Sequence, residues 1–333
     1  MSCNLNTPED VLRLIKDDKI QKIDLRFTDR SGLWQHFSVP PSRIDLESIE
    51  RGGGFDGYLI SQFQGMQQTD MLAQPDPASA FLDPFAETPT LLLICNIRDP
   101  ITGERDPRDP RHIAQKAEAY LQTMQIGDTA NFGLELERFV FDEERDDQST
   151  NGDHYVLRND SLRRKEDYFA VPPADVLQHI RTQVAATLKK VGIKVEPHHH
   201  EIATGGQGEI GMRFATLSRM ADNVMIFKYV VDNVARQRGM NGSFVLNSLF
   251  GDNRSGMRVH QSIWQGERPL FAGDGYAGSS ALMRHYIAGL LEHAPALLEI
   301  CAPMAAPWHG RVPGSETPVN IACSRIDSGR SHA

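Results

Sequence analysis

Asn131-Phe132-Gly133-Leu134-Glu135-Leu136-Glu137-Arg138-Phe139 alternates apolar and charged side chains from Leu134 to Glu137. A period of two predicts a β-strand. Glu135 and Glu137 then share one face, roughly 7 Å apart along the strand, and Leu134, Leu136 and Val140 take the other. A strand this apolar is expected to be buried on at least one side. Two buried carboxylates repel and pick up protons unless a cation pairs them. Hard divalent ions such as Mg²⁺ or Mn²⁺ suit oxygen ligands. Taken alone, the pair fits a solvated strand edge somewhat better than an ion site.

A second acidic stretch follows in the chain. Val195-Glu196-Pro197-His198-His199-His200-Glu201 leads into Thr204-Gly205-Gly206-Gln207-Gly208-Glu209. The glycines allow a tight reversal, and such a hairpin can bring Glu201 and Glu209 together near its base. With Glu137 they would make a three-carboxylate ion site. Successive histidines alternate faces in a strand, so the three cannot all reach one ion. Each is more readily explained by a structural hydrogen bond. A third stretch, Phe250-Gly251-Asp252-Asn253-Arg254-Ser255-Gly256-Met257-Arg258-Val259-His260-Gln261-Ser262, flanks a polar loop with glycines. It lacks the Lys-Ser/Thr of a phosphate loop.

Outward from these stretches the chain alternates helical and extended patterns. Thr7 and Pro8 open a helix through Val11, Leu12 and Ile15. Ile23, Leu25 and Phe27 alternate as a strand, Arg30-Ser31-Gly32 turns, and Trp34 to Phe37 returns. A buried strand is expected at 91–97. Pro100, Pro107 and Pro110 among charges mark a domain boundary, dividing residues 1–105 from residues 106–333. Helical apolar stripes run through Ile113, Ala117, Tyr120, Leu121 and Met124; through Val176, Ile180, Val184, Leu188 and Val191; through Val224, Phe227, Val231 and Val234; and through Leu282, Tyr286, Leu290 and Leu291. All four are expected to be core. Strands are expected at 131–142, 193–203, 209–214 and 243–249, and a polar surface loop at 143–166.

The composition excludes several classes of function. The chain has 333 residues, 35 basic and 44 acidic, for a net charge of −9. That balance argues against neutralising nucleic-acid phosphates. The longest apolar run, near Leu91-Leu92-Leu93-Ile94-Cys95, is far short of the roughly 20 residues of a spanning helix, so no membrane association is expected. The start, Met1-Ser2-Cys3-Asn4, has no signal pattern. Cys3, Cys95, Cys301 and Cys323 are scattered as in a reduced, cytoplasmic protein.

The ordered motifs closely resemble type I glutamine synthetase, most like the cyanobacterial form. The matches are Phe55-Asp56-Gly57, Phe132-Gly133-x-Glu135-x-Glu137, Tyr168-Phe169-x-Val171-Pro172-Pro173 and His198–Glu201 through Glu209. They continue with Phe250-Gly251-Asp252-Asn253-x-Ser255-Gly256-Met257, Leu270-Phe271-Ala272-Gly273-Asp274 and Val312-Pro313-Gly314-x-Glu316-x-Pro318-Val319. The resemblance implies an α+β fold: a β-grasp-like N-terminal domain, then an incomplete catalytic α/β domain whose curved antiparallel sheet is flanked by helices. It implies ligation of ammonia to glutamate with ATP through γ-glutamyl phosphate, aided by Mg²⁺ or Mn²⁺. It also implies a homo-oligomer of hexameric rings, single or stacked as a dodecamer, with active sites between neighbours.

The resemblance also implies roles. One metal takes Glu137, Glu201 and Glu209, and a second takes Glu135. Asp56 deprotonates ammonium, and Tyr168 and Glu316 shape its pocket. Asn253 meets glutamate, and Glu196, His260 and Ser262 meet the nucleotide. Departures qualify this. Arg258 stands at the second metal's histidine position, and a guanidinium cannot ligate a metal. Arg254 replaces a glycine, Gly310 an arginine and Leu59 a serine, with Tyr58 before it. The family pattern continues past Ala333, so further phosphate and metal contacts and sheet strands are expected to be missing. Impaired ligase activity is therefore expected. The alternatives are an inactive regulatory or binding subunit associated with a full-length relative, and a γ-glutamyl ligase for another amine.

Overall fold

The computed structural model describes residues 5–57, 70–149, 152–158, 168–203, 206–244 and 255–301. The chain opens with α1 (Pro8–Asp17), where the Thr7 side chain accepts from the Asp10 backbone N–H, as the sequence predicts. Then come β1 (Lys22–Thr28), β2 (Trp34–Val39), α2 (Leu46–Arg51), β3 (Gly53–Asp56), β4 (Asp70–Pro75), β5 (Phe81–Leu82) and β6 (Thr90–Arg98). The sheet order is β2-β1-β6-β4-β3, with β5 also on β6. The pairing of β1 with β6 is parallel and that with β2 antiparallel. Ile23, Leu25, Leu91, Leu93, Cys95 and Ile97 form the core of this layer with Val11 and Ile49.

After this sheet come α3 (Pro110–Thr123), β7 (Thr129–Phe141), β8 (Glu143–Ser149), β9 (Gly152–Arg158), α4 (Gln178–Lys190), β10 (Val195–His200), β11 (Gln207–Thr216) and α5 (Leu217–Gln237). They are followed by β12 (Asn241–Ser243), β13 (Met257–Gln265), β14 (Arg268–Pro269), α6 (Ala281–Glu292) and α7 (Ala294–Cys301). Two compact units result. One holds residues up to Tyr120 and Phe132–His260; the other holds Leu121–Asn131 and the chain from Gln261 on.

In the first unit, β10, β11, β7 and the opening residues of β13 lie side by side in that order. Helices α4 and α5 cover the sheet: Ile180, Val184, Leu188, Phe227, Val231 and Val234 pack on Leu134, Leu136, Val140, Ile210 and Met212. The same core reaches Phe81, Leu92 and Ile94 of the N-terminal sheet. Buried ion pairs pin that junction. Arg111 at the start of α3 donates to Asp222 of α5 (2.9 Å) and to Asp76. Arg26 of β1 lies over the Tyr229 ring (4.1 Å), whose hydroxyl donates to Asp83 (2.8 Å).

In the second unit, β13 turns through Gly266 into β14. Gly266 has φ +57°, a conformation glycine takes without cost. The Asp128 carboxylate accepts from its N–H (2.6 Å). The Tyr286 hydroxyl of α6 donates to Gln261.

Two expectations are corrected. Residues 143–149 and 152–158 are not a loop: β8 and β9 form a two-stranded antiparallel ribbon, with Glu143 opposite Arg158 and Ser149 opposite Gly152; the rest of the expected loop, 150–151 and 159–166, lies outside the described residues. The sequence of β8 holds no apolar residue and so supplies no apolar period, although Asn151-Gly152 is a turn signal. The stripes of α3 and α6 are also not core. Ile113, Tyr120 and Met124 are about half or more exposed, Arg111 is the one buried residue of α3, and α6 buries none of its residues. Periodicity identifies an apolar face but not what covers it. Of the strand expected at 243–249, only residues 243 and 244 are described, and β12 (Asn241–Ser243) overlaps it at Ser243. No described helix is long and apolar enough to cross a membrane.

Candidate metal centre

Four strand segments of the first unit bring the acidic residues together. Glu135 and Glu137 project from one face of β7, as the alternation predicts. Leu134, Leu136 and Val140 are buried on the other face. On the neighbouring hairpin, His199 of β10 lies directly opposite Glu209 of β11. Glu201 follows the end of β10, where its backbone N–H donates to the Gln207 carbonyl (3.0 Å) and closes the hairpin. Gly208 lets the turn run tight against Arg181, since an added Cβ would come within 2.9 Å of the Arg181 side chain.

Glu201 is only 2% exposed and Glu209 5%. His199 bridges them: Nδ1 is 3.4 Å from Glu201 Oε1, and Nε2 is 3.6 Å from Glu209 Oε1. One ligand atom from each of the three side chains lies within 4.8 Å of the others. Burial, followed by the charges of Glu137 and Glu209, pushes the Glu201 carboxyl up to about 7. Its Oε1 accepts no hydrogen bond. The hydrogen bond to Glu209 raises the His199 imidazole above its ordinary value. Two buried carboxylates with an orphaned oxygen and one imidazole form a donor set that fits a divalent cation.

His199 is the residue that sequence reasoning missed. Its only signal was its position among three histidines, and the register against Glu209 distinguishes it. The Tyr168 and Phe169 rings meet its edges at 5.3 and 4.8 Å. The structure thus brings Tyr168, a predicted residue, beside the centre.

Glu137, the expected third ligand, is engaged elsewhere: its Oε2 accepts from Gln207 Nε2 (2.9 Å) and from the Gly256 backbone N–H (2.8 Å). The opposite end of the cluster already holds a cation. Arg258 Nη1 donates to Glu135 Oε2 (3.2 Å) and Glu209 Oε2 (3.1 Å), and Nη2 lies 3.7 Å from Glu137 Oε1. His260 Nε2 is 3.0 Å from Glu135 Oε1. The His260 bond first, then Arg258, hold the Glu135 carboxyl down at about 2 against the opposing effect of burial.

The other predicted residues are spread more widely. Asp56 ends β3 on the N-terminal sheet and is exposed. Glu196 is exposed on β10, and its Cβ stacks over Gly211, where an added Cβ would approach within 3.1 Å. Ser262 lies in the second unit and accepts from Trp264 Nε1 (2.9 Å). Asn253 and Glu316 fall outside the described residues, as do Tyr58, Leu59, Arg254 and Gly310.

Comparison with known proteins agrees with this architecture. Residues 19–100 match the glutamine synthetase β-grasp domain and residues 107–329 the glutamine synthetase catalytic domain. The chain belongs to the glutamine synthetase family. A Nostoc glutamine synthetase is 46% identical over 96% of this chain and 72% of its own length. A 3-hydroxylaminophenol mutase of Cupriavidus pinatubonensis is 42% identical over 95% of this chain and 70% of its own length. Among solved structures, a Plasmodium falciparum glutamine synthetase aligns with a TM-score of 0.87 at 21% identity, covering 94% of this chain and 65% of that one. At that identity the likeness speaks for the fold. The family fold is thus a β-grasp domain followed by a catalytic domain of sheets and helices.

Proposed function

We propose that this glutamine synthetase homologue is an ATP-dependent glutamate–ammonia ligase working through γ-glutamyl phosphate, at a reduced rate. One observation carries the reading: in a member of this family, the buried Glu201 and Glu209 and the half-buried His199 are held together, and one Glu201 oxygen accepts no hydrogen bond. A carboxylate is a poor electrophile, so activating it by phosphorylation requires charge on the phosphate oxygens to be neutralised. A Mg²⁺ or Mn²⁺ ion bound by His199, Glu201 and Glu209, with Glu137 alongside, supplies that neutralisation.

The remaining roles are those that the family resemblance implies for the matching residues. Tyr168, beside His199, walls the pocket, and Glu135 orients His260 toward the nucleotide, with Glu196 and Ser262 as its further contacts. Asn253 binds glutamate. Asp56 takes the proton from ammonium as a general base, and Glu316 closes the pocket. We further propose domains at residues 1–105 and 106–333, a ring-shaped homo-oligomer in which neighbours complete each site, and a cytoplasmic location. The two family matches, which meet between residues 100 and 107, support the division.

The second reading, a non-catalytic subunit that binds metal, nucleotide or a full-length relative, is favoured by one feature: Arg258 already satisfies Glu135. The assay is ADP release with ATP, Mg²⁺ or Mn²⁺, glutamate and ammonia or alkylamines. Ammonia-dependent ADP release with glutamine formed is the expected result. A metal-loaded chain that releases no ADP under any of these conditions would refute the ligase and leave the binding subunit.

A further inference from the structure

We infer that Arg258 is a built-in cation that limits this centre to a single divalent ion, bound on the His199–Glu201–Glu209 side. The inference rests on the metal-binding reading above and goes beyond it by fixing the number of ions and the residue that sets it.

Geometry is the first support. The guanidinium reaches carboxylates on two strands at once, donating to Glu135 and Glu209 and lying against Glu137. A planar fork of fixed donors suits bridging of this kind. Glu135 therefore has both oxygens occupied, one by Arg258 and one by His260. Glu137 has one oxygen taken by Gln207 and Gly256 and the other facing Arg258. Glu201, by contrast, keeps an oxygen without a hydrogen bond. The two ends of the cluster thus differ in what they can still accept.

Charge is the second support. Four carboxylates (Glu135, Glu137, Glu201 and Glu209) against one guanidinium leave three negative charges, with the imidazoles neutral. One divalent ion reduces that to one. A second would reverse the sign beside a fixed positive group only a few ångströms away, where like charges repel strongly. Arg258 is about half exposed on its side of the cluster, so it also stands where an ion entering toward Glu135 would have to pass. Because it shares Glu209 with the bound ion, it anchors that ligand rather than displacing it.

The test is a count of Mn²⁺ bound per chain, by isothermal titration and by electron paramagnetic resonance of free Mn²⁺, on the full chain with its fold checked by circular dichroism. Wild type and Arg258→Lys, which keeps the charge, are expected to bind one ion. Arg258→Gln is expected to gain a second. Two ions in wild type would overturn the inference while leaving the metal centre intact. One ion in both wild type and Arg258→Gln would also overturn it, because the charge would then not be what limits the count. Should Arg258→Gln fail to fold, Arg258→Met, which also removes the charge, takes its place with the same two outcomes. No ion in any protein would instead strike down the underlying metal-binding reading and the inference with it, so the two failures are told apart.

Discussion

Glu201 and Glu135 belong to one acidic cluster, yet their environments move them in opposite directions. Glu201 is buried at the hairpin end among other carboxylates, and its carboxyl rises to about 7. Glu135 sits at the β13 end between His260 and Arg258 and falls to about 2. Both changes come from what surrounds the carboxyl. At one end Glu201 keeps an oxygen without a hydrogen bond; the other end carries its cation, Arg258, covalently on the chain. A cluster of this kind cannot be described by counting its carboxylates. What matters is which of them still lack a partner.

The sharpest way to break this contrast is to remove the carboxylate that keeps an orphaned oxygen. Glu201→Gln should weaken Mn²⁺ binding on the order of 10³-fold, about 4 kcal/mol, measured by titration calorimetry. The same change at Glu135, already neutralised, should cost far less. If the two substitutions weaken binding equally, the distinction between the ends is wrong.

Metal-free stability offers the next test. Glu201 titrates near its ordinary 4.5 when unfolded and at about 7 when folded. Between those values the native state holds a proton that the unfolded chain has lost, so stability falls as pH rises from 4.5 to 7 and then levels off. The change is roughly 3 kcal/mol. His199, raised by its bond to Glu209, adds stability below its unfolded value that is likewise lost as pH rises. Glu201→Gln should flatten most of the slope in a calorimetric series from pH 5 to 8, and saturating Mn²⁺ should stabilise wild type most above pH 7. A slope unchanged by Glu201→Gln would remove the carboxyl as its source. Glu135 behaves oppositely: its contribution is present above 4.5 and disappears as pH falls toward 2, where solvent screening keeps it modest.

A smaller effect probes the neutralised end. His260→Gln removes the strongest influence on Glu135 and should raise its titration on the order of one pH unit, read by carbon NMR of the labelled carboxyl. Arg258 should then still hold it below 4.5. An unmoved Glu135 would mean that Arg258 alone sets the low value.

Much of this arrangement is legible in the sequence, for identifiable reasons. The alternation from Leu134 to Glu137 fixes which side of β7 carries Glu135 and Glu137. The glycines after Glu201 announce the hairpin, and the stripes of α4 and α5 announce the helices that cover the sheet. His199 was not legible. Three consecutive histidines are equivalent in sequence, and the strand register, which shifts between Val195 and His198, determines which of them faces Glu209. Arg258 was legible as an odd residue type, but its three carboxylate contacts depend on β13 lying beside β7, which no local pattern encodes. The β8–β9 ribbon escaped because the sequence of β8 holds no apolar residue to set a period, and the exposed stripes of α3 and α6 show the converse error.

The least of the expected effects lies at the edge of the unpartnered end. Phe169 and Tyr168 both meet the His199 ring edge-on, and contacts of that geometry contribute about 0.5–1.5 kcal/mol. They steer an imidazole that must reach Glu201 through one nitrogen and Glu209 through the other. Phe169 has φ +59°, and leucine carries the same backbone cost there, because neither residue is β-branched. Phe169→Leu thus removes the ring contact without adding new strain. Mn²⁺ affinity should drop about threefold, within the range of one such contact, with the number of ions unchanged. A loss approaching that of Glu201→Gln would mean that Phe169 holds the whole hairpin rather than one ring. The orphaned oxygen of Glu201 would then owe its position to the aromatic turn as much as to the strand beneath it.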